Sequence, residues 1–263
     1  MESQSWRTAT SESMEPFGRS PGVIRSGRRV LVFSAHAADF CSRAGGAILR
    51  FVDAGCDVQI YDLTYGEKCE SPAVWNDHAE ISVDEVKAIR REEILVAAEI
   101  LGAPIDCLDY DDSPLLLGPE RRAQLLEIIR GFRPDLVLTH WIDDYLHPDH
   151  VETVQAVLWA SRYCFRPGIQ TDHPPCAAPE VVCFEPIAGA APVVGYVPNL
   201  YVDVTSVFER KKSALRALAT QPELPERYEI IARYRGLEAQ MSAWMKPCEM
   251  AEAYCRLGTE AAP

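Results

Sequence analysis

The stretch RVLVFSAHAADFCSRAGGAILRFVDAG, residues 29–55, sets the frame for reading the rest of the chain. Arg29–Ser34 is a short apolar run with β-branched residues, which predicts a strand. Ala35–Asp39 is a turn carrying one histidine and one carboxylate. From Arg43 the apolar spacing becomes helical, and Gly55 supplies a stop. Strand, polar turn and helix in this order make the first half of a βαβ unit. The Gly45-Gly46 pair lacks the GxGxxG spacing of a dinucleotide loop, so it predicts close helix–sheet packing instead.

The pattern repeats outward. Asp57–Thr64 predicts a second strand, and residues 65–78 (YGEKCESPAVWNDH) a polar loop. Ser82–Leu101 has a strong helical period, with Val83, Val86, Ile89, Ile94, Ala97, Ala98 and Leu101 as buried positions and Gly102 as the cap. Ile105–Leu108 and Asp135–Thr139 predict further strands, separated by a helix over Pro119–Phe132. His150–Tyr163 predicts another helix. Beyond residue 165 the pattern loosens to strands at Val181–Phe184 and Leu200–Val204 and helices at Ser206–Thr220 and Pro225–Trp244. Nearly continuous apolar strands alternating with helices predict an α/β fold, Rossmann-like, its mostly parallel sheet covered by helices on both faces. With no internal repeat or linker, residues 29–263 read as a single domain and residues 1–28, rich in Ser, Arg and Gly, as a flexible tail.

The 263 residues carry 39 acidic against 26 basic side chains, a formal net charge of -13. That argues against a nucleic-acid partner, although a locally positive pocket for a small anion stays open. No run reaches the ~20 apolar residues that span a bilayer, and the N-terminal segment lacks the apolar core of a signal peptide. The nine cysteines are odd in number, scattered and without a CxxC pair. They read as reduced thiols of a cytoplasmic protein, mostly small core residues.

Ligands of a doubly wound sheet bind beyond the carboxyl ends of its strands. Two polar clusters fall at such ends: His36 with Asp39 after the first strand, and His147-Pro148-Asp149-His150 after the fourth. A single His-x-x-Asp more often caps a helix than binds a metal, but two such clusters on neighbouring strands can converge. His36, Asp39 and His150 form a two-histidine, one-carboxylate set with an open fourth position, the pattern of a catalytic zinc. Iron, manganese and cobalt suit the same donors. Arg43, Lys68, Arg90 and Arg91 fall near the predicted crevice as candidate carboxylate binders. Arg90 and Arg91 point about 100° apart on their helix, and the helical pattern turns Arg90 toward the site. Tyr65 and Ser71 are further candidate polar contacts. His173, in an Asp-His-Pro-Pro loop, reads equally as structural or as a contact at the mouth, while His78 and His140 read as structural, His140, at the end of the fourth strand, also as a support behind the ligands.

The segment from Val30 to Ile48, with HPDH at 147–150, Arg90-x-x-Glu93 and the run from Asp203 (DVTSVFERKKSALRALATQ), resembles the signatures of the LmbE/PIG-L family of zinc-dependent deacetylases. The likeness spans about residues 29–246. It implies zinc on His36, Asp39 and His150, a role for His147 at the reacting oxygen, Asp149 as its orienting carboxylate, and Arg90 as a substrate contact. One departure matters. The deacetylase motif has two adjacent aspartates, the first a general base, and here the first is Ala38; Ala37 replaces the usual proline. A positioned base contributes ~10²–10⁴-fold, so its loss argues against ordinary amide hydrolysis.

A-H-x-A-D-F, together with Gly66-Glu67-x-x-Glu70-Ser71, Trp75, Val83–Glu93 and Asp112-Ser113-Pro114-Leu115, is similar instead to the family's hydratase branch. That resemblance implies a metal-dependent hydro-lyase acting on a small anionic oxo acid, 4-oxalomesaconate, to give 4-carboxy-4-hydroxy-2-oxoadipate in aromatic degradation. Glu70 becomes the candidate base, His147 and Asp149 its catalytic companions, and Arg90, Arg43, Lys68, Ser71, Asp112 and His173 the substrate contacts. Relatives are often homo-oligomers, and the same is expected here. The alternatives are a zinc deacetylase of an amino sugar with a relocated base, and a binding module of this fold that has lost catalysis.

Overall fold

In the computed structural model, which describes residues 23–78, 80–187, 190–245 and 247–258, strand β1 (Arg29–Ser34) sends alternate side chains to opposite faces. Val30 and Val32 enter one apolar core, Leu31 and Phe33 the other. β1 therefore lies inside the sheet, covered on both sides, which is why its sequence is a continuous apolar run. The chain continues through α1 (Asp39–Asp53), β2 (Asp57–Asp62), a short α2 (Pro72–Asp77), α3 (Val83–Leu101) and β3 (Ile105–Cys107). Next come α4 (Pro119–Phe132), β4 (Leu136–Thr139), α5 (Pro148–Tyr163), β5 (Glu180–Phe184), β6 (Leu200–Asp203), α6 (Phe208–Ala217), α7 (Leu224–Ser242) and β7 (Ala251–Leu257).

The seven strands order as β3-β2-β1-β4-β5-β7-β6. β1 to β5 pair in parallel, and β7 runs antiparallel to both β5 and β6. Residues of α1, α3, α6 and α7 fill the core on one face, and residues of α4 and α5 the core on the other. β1 has β2 on one side and β4 on the other. The strand order reverses there, so the loops after β1 and β4 open onto a common crevice.

Several local expectations shift. α1 starts at Asp39, before the apolar period begins, and α5 at Pro148, whose fixed φ suits a first helical turn. The 65–78 loop contains α2. On α3, Ile89 is 38% exposed. The inner face at that level is occupied by a buried Arg90–Glu93 ion pair, Nη1 to Oε2 3.0 Å, whose Glu93 accepts from the Thr220 N–H at 2.7 Å. α3 is closed by a capping box between Ser82 and Glu85 and by Gly102 in the left-handed region, φ 75°. β7 was not foreseen, because Glu252 and Arg256 interrupt its apolar run. Of the expected tail, residues 1–22 lie outside the described residues. Val23 is buried in the first core, and the Arg28 guanidinium donates to the Val23 carbonyl and pairs with Glu180.

Glu252 explains Gly45-Gly46. Its carboxylate accepts from the Gly46 and Ala47 N–H groups at 2.7 Å each, in the middle of α1. Lys211 Nζ donates to the Ser42 carbonyl, the group four residues before the Gly46 amide, and the Tyr254 hydroxyl donates to Glu252 Oε2 at 2.6 Å. A Cβ on Gly46 would sit 2.5 Å from Val204 Cγ1. The close approach predicted from the glycine pair is thus a contact with a buried carboxylate as well as with the Val204 side chain. No helix among the described residues is long and apolar enough to cross a membrane.

Candidate active site

The crevice is built by three loops. The turn after β1 carries His36 and leads into Asp39 at the start of α1. The segment after β4 carries His140, Asp144 and His147, with Asp149 and His150 in the first turn of α5. The loop after β2 carries Glu70. Gly66 makes this last approach possible: its φ is +64°, and an added Cβ would lie 3.1 Å from Glu70 Cβ and 3.2 Å from His36 Cβ.

Asp39 Oδ2 lies 3.3 Å from His36 Nδ1, 3.4 Å from His150 Nε2 and 3.5 Å from His140 Nε2. Glu70 Oε1 faces His36 Nδ1 at 3.7 Å and His147 Nε2 at 3.8 Å. The His147 ring stacks on that of His150, centroids 4.0 Å apart, and His140 stacks on His150 from the other side at 4.0 Å. His36, His140 and His150 are buried, and His147 keeps 17% side-chain exposure at the mouth.

Two buried nitrogens, His36 Nδ1 and His150 Nε2, have no hydrogen-bond partner among the described residues. The opposite nitrogens of the same rings are held by carboxylates. His36 Nε2 lies 3.2 Å from Asp149 Oδ2, and His150 Nδ1 lies 3.0 Å from Asp144 Oδ2. Orphaned imidazole nitrogens turned toward a shared carboxylate, with their far sides fixed by acids, is how a metal-ligating histidine pair is held. Two overlapping groups, His36-Glu70-His147-His150 and Asp39-His140-His150, have donor atoms close enough to hold an ion. The donor set fits a divalent metal.

The electrostatics follow from this crowding. Burial lowers the His36 pKa, but the surrounding Glu70, Asp149 and Asp39 carboxylates outweigh it and hold the ring well above its usual value. Burial raises Asp39, yet His150 and His140 bring it well below the carboxylate range. Burial and the Asp39 charge push Glu70 up. His147 falls to about 3, first through burial and then through His150 and His36.

The other expected site residues are distributed differently. Asp149 does not orient His147. Its two oxygens accept from the Ser113 and Leu115 N–H groups, and Oδ2 faces His36. Arg90 is fully buried and engaged with the Tyr65 carbonyl, Glu93, Thr220 and Gln221. Its Nη2 lies 3.6 Å from Glu70 Oε2, so it braces that carboxylate instead of meeting substrate. Arg43 donates to Asp39 Oδ1 at 3.0 Å and to the Glu185 carbonyl, which makes it a support for Asp39. Asp112 accepts from the Lys68 and Cys69 N–H groups and Lys68 Nζ donates to the Asp112 carbonyl, so this pair shapes the Glu70 loop. Ser71 donates to the Gly66 carbonyl and closes the same loop. His173 is not at the crevice: it pairs with Glu127 and lies over Gly131, near the end of α4 that leads into the amino end of β4. Asp144 was missed. Its signal was the rule that a ligating histidine donates its second nitrogen to an acid, applied to the acidic pair just before His147. His140, expected to be structural, accepts the Ala35 N–H at 2.9 Å and flanks the cluster.

The family model for PIG-L, GlcNAc-PI de-N-acetylase, matches residues 31–161, the part of the chain that carries these loops. A 4-oxalmesaconate hydratase from Pseudomonas putida is 33% identical over 213 residues, covering 81% of each chain. A diacetylchitobiose deacetylase from Thermococcus kodakarensis is 30% identical over 74% of this chain and 70% of its own. Among solved structures, a 4-carboxy-2-hydroxymuconate hydratase from Pseudomonas putida superposes with a TM-score of 0.84 at 30% identity, over 90% of this chain and 98% of its own.

Proposed function

This chain belongs to the PIG-L de-N-acetylase family, and on that footing we propose that it is a zinc-dependent hydratase. It adds water across the C=C bond of an unsaturated oxo-carboxylic acid, 4-oxalomesaconate, to give 4-carboxy-4-hydroxy-2-oxoadipate. The observation that carries this reading is where the free carboxylate comes from. Ala38, ahead of Asp39, offers a methyl group, and Glu70 from the loop after β2 supplies a carboxylate 3.7 Å from His36 Nδ1. The extent of the likeness to the Pseudomonas putida hydratase, in sequence and in structure, supports the same branch.

His36 Nδ1, Asp39 and His150 Nε2 would hold the zinc, which supplies a Lewis acid for the oxo-acid end of the substrate when bound. Glu70 accepts a proton from the attacking water at Oε1. Its raised proton affinity, from burial and Asp39, suits that task at neutral pH. The proton passes to the neighbouring carbon when the enolate collapses, so both parts of water end on the former double bond. Arg90 Nη2, 3.6 Å from the far oxygen of Glu70, sets a positive charge beside that carboxylate, and Gly66 allows the loop to lie against His36. His147 stays neutral at working pH because burial and His150 depress it. It donates through Nε2 to the developing enolate oxygen.

Turnover is read as loss of the substrate's conjugated absorbance, with and without added zinc. Glu70→Gln is expected to lower kcat by ~10²–10⁴-fold with the metal retained. A fully metallated chain that leaves the substrate untouched removes hydration of this acid as its function.

A further inference from the structure

Helix α3 presents two cations, one turn apart, to two carboxylates that lie three residues apart in the loop after β2. Arg90 Nη2 is 3.6 Å from Glu70 Oε2, and Lys87 Nζ is 3.7 Å from Glu67 Oε1. Residues three apart on a helix are neighbours on one face, about 4.5 Å along its axis. The K-x-x-R of α3 therefore meets the E-x-x-E of the loop as two rungs. The second rung has no part in the chemistry set out above, yet its carboxylate is the more deeply buried. Glu67 is 0% exposed, and neither of its oxygens has a hydrogen-bond partner among the described residues. A carboxylate stripped of water is costly unless a charge compensates it. Lys87 is the cation that faces it. The same ammonium bonds Asp109 Oδ1 at 2.6 Å, so α3, the loop after β2 and the loop after β3 meet at one charge.

The other fastenings of this loop are bonds to its backbone. The Asp112 carboxylate takes the Lys68 and Cys69 amides, the Ser71 hydroxyl donates to the Gly66 carbonyl, and Trp75 Nε1 donates to the Glu67 carbonyl at 2.7 Å. Any residue offers an amide and a carbonyl, so such bonds hold the loop without choosing which of two identical side chains faces the crevice. We propose that the Lys87–Glu67 pair sets the register of the loop and so delivers Glu70, not Glu67, to His36, an inference that rests on Glu70 being the base. Lys87 and Glu67 are positioning residues in this scheme and touch no reacting atom. With Lys87 gone, the buried Glu67 charge is left to compete with Glu70 for Arg90, and the loop loosens at the point where the base must be held.

Hydrogen–deuterium exchange over residues 66–71 of the zinc-loaded full chain tests this beside turnover. Lys87→Met is expected to speed exchange there and to lower kcat by ~10²-fold, with KM within about threefold of the parent. Lys87→Arg is expected to restore both. Exchange in α4 and α5 is expected to keep the parent's rate, which a general loss of stability would not allow. Glu67→Gln removes the charge but keeps the shape, and is expected to lower kcat about tenfold, with Lys87→Met added to it costing less than about threefold more. Unchanged exchange and kcat in Lys87→Met overturn the proposal, and so do losses that simply multiply in the double variant. Asp109→Asn leaves Glu67 its cation; if it reproduces the Lys87→Met losses, Lys87 acts through Asp109 and the proposal falls. Should Lys87→Met misfold, the step from Glu67→Gln to the double variant carries the test. Exchange is read without substrate, so a chain that leaves 4-oxalomesaconate untouched removes the function proposed above, while the exchange rates still decide the register.

Discussion

Helix α1 carries two buried ionic clusters, one at its first turn and one at its middle, and they differ in whether their polar atoms are satisfied. In the middle, Glu252 takes the Gly46 and Ala47 amides, Lys211 Nζ and the Tyr254 hydroxyl, and Lys211 also reaches the Ser42 carbonyl. At the first turn, Asp39 faces His36, His140 and His150, yet His36 Nδ1, His140 Nδ1 and His150 Nε2 lack partners among the described residues. Burial is equally deep in both. A complete set of bonds marks a structural cluster. Desolvated donors left open mark one built to receive something, since an unmade buried hydrogen bond costs about 1–3 kcal/mol.

Breaking the open cluster has the largest effect on function. His150→Ala is expected to reduce bound metal to near zero and hydration to background, read by elemental analysis and substrate absorbance. Stoichiometric metal in that variant would place the ion elsewhere. Breaking the closed cluster acts on stability. Glu252→Ala strands the Lys211 charge in the core, and urea denaturation is expected to show a loss of about 3–5 kcal/mol. A loss under about 1 kcal/mol would mean that water reaches Lys211 and that the cluster is less closed than its bonding implies.

The neighbouring glycines sharpen the contrast. Gly46→Ala drives a methyl group to 2.5 Å from Val204 Cγ1 and 2.8 Å from Glu252 Oε1, and is expected to destabilise the chain by about 1–3 kcal/mol. Gly45→Ala meets nothing nearer than Lys211 Cγ at 3.4 Å and gains helix propensity, so its unfolding free energy is expected to stay within about 1 kcal/mol of the parent. Equal losses at both positions would show that the helix, and not the Glu252 contact, is what tolerates no side chain there.

What the sequence revealed of these clusters depended on how local the information was. That β1 and β4 lie side by side, and that His36, Asp39 and His150 meet at their ends, followed from apolar runs each ending in a polar turn. The inward register of Arg90 followed from the period of α3. The partners of Arg90, Arg43 and Asp112 did not, because each bond closes a loop to a residue that no periodicity relates to it. All three read as substrate contacts for that reason, and all three instead hold Glu70, Asp39 and the loop between them. His173 failed in the same way, since a histidine in a proline-rich loop carries no sign of which end of the sheet the loop visits. β7 was hidden by Glu252, whose charge in an apolar run argues against a buried strand until the α1 amides that receive it are known.

Asp144 is the most economical test of that distinction between open and closed clusters. It accepts the Ile187 N–H at 3.1 Å and faces His150 Nδ1 at 3.0 Å, on the side of that ring away from Nε2. If its work is to fix the ring so that Nε2 points at the metal position, Asp144→Asn keeps the hydrogen-bonding shape but weakens the carboxylate's hold. Metal affinity, measured by competition with a chelator, is then expected to fall about 10–100-fold, with kcat of the reloaded enzyme nearly unchanged. A fall in kcat at full metal occupancy would instead mean that the carboxylate's charge, and not only its grip on His150, is felt by the reaction.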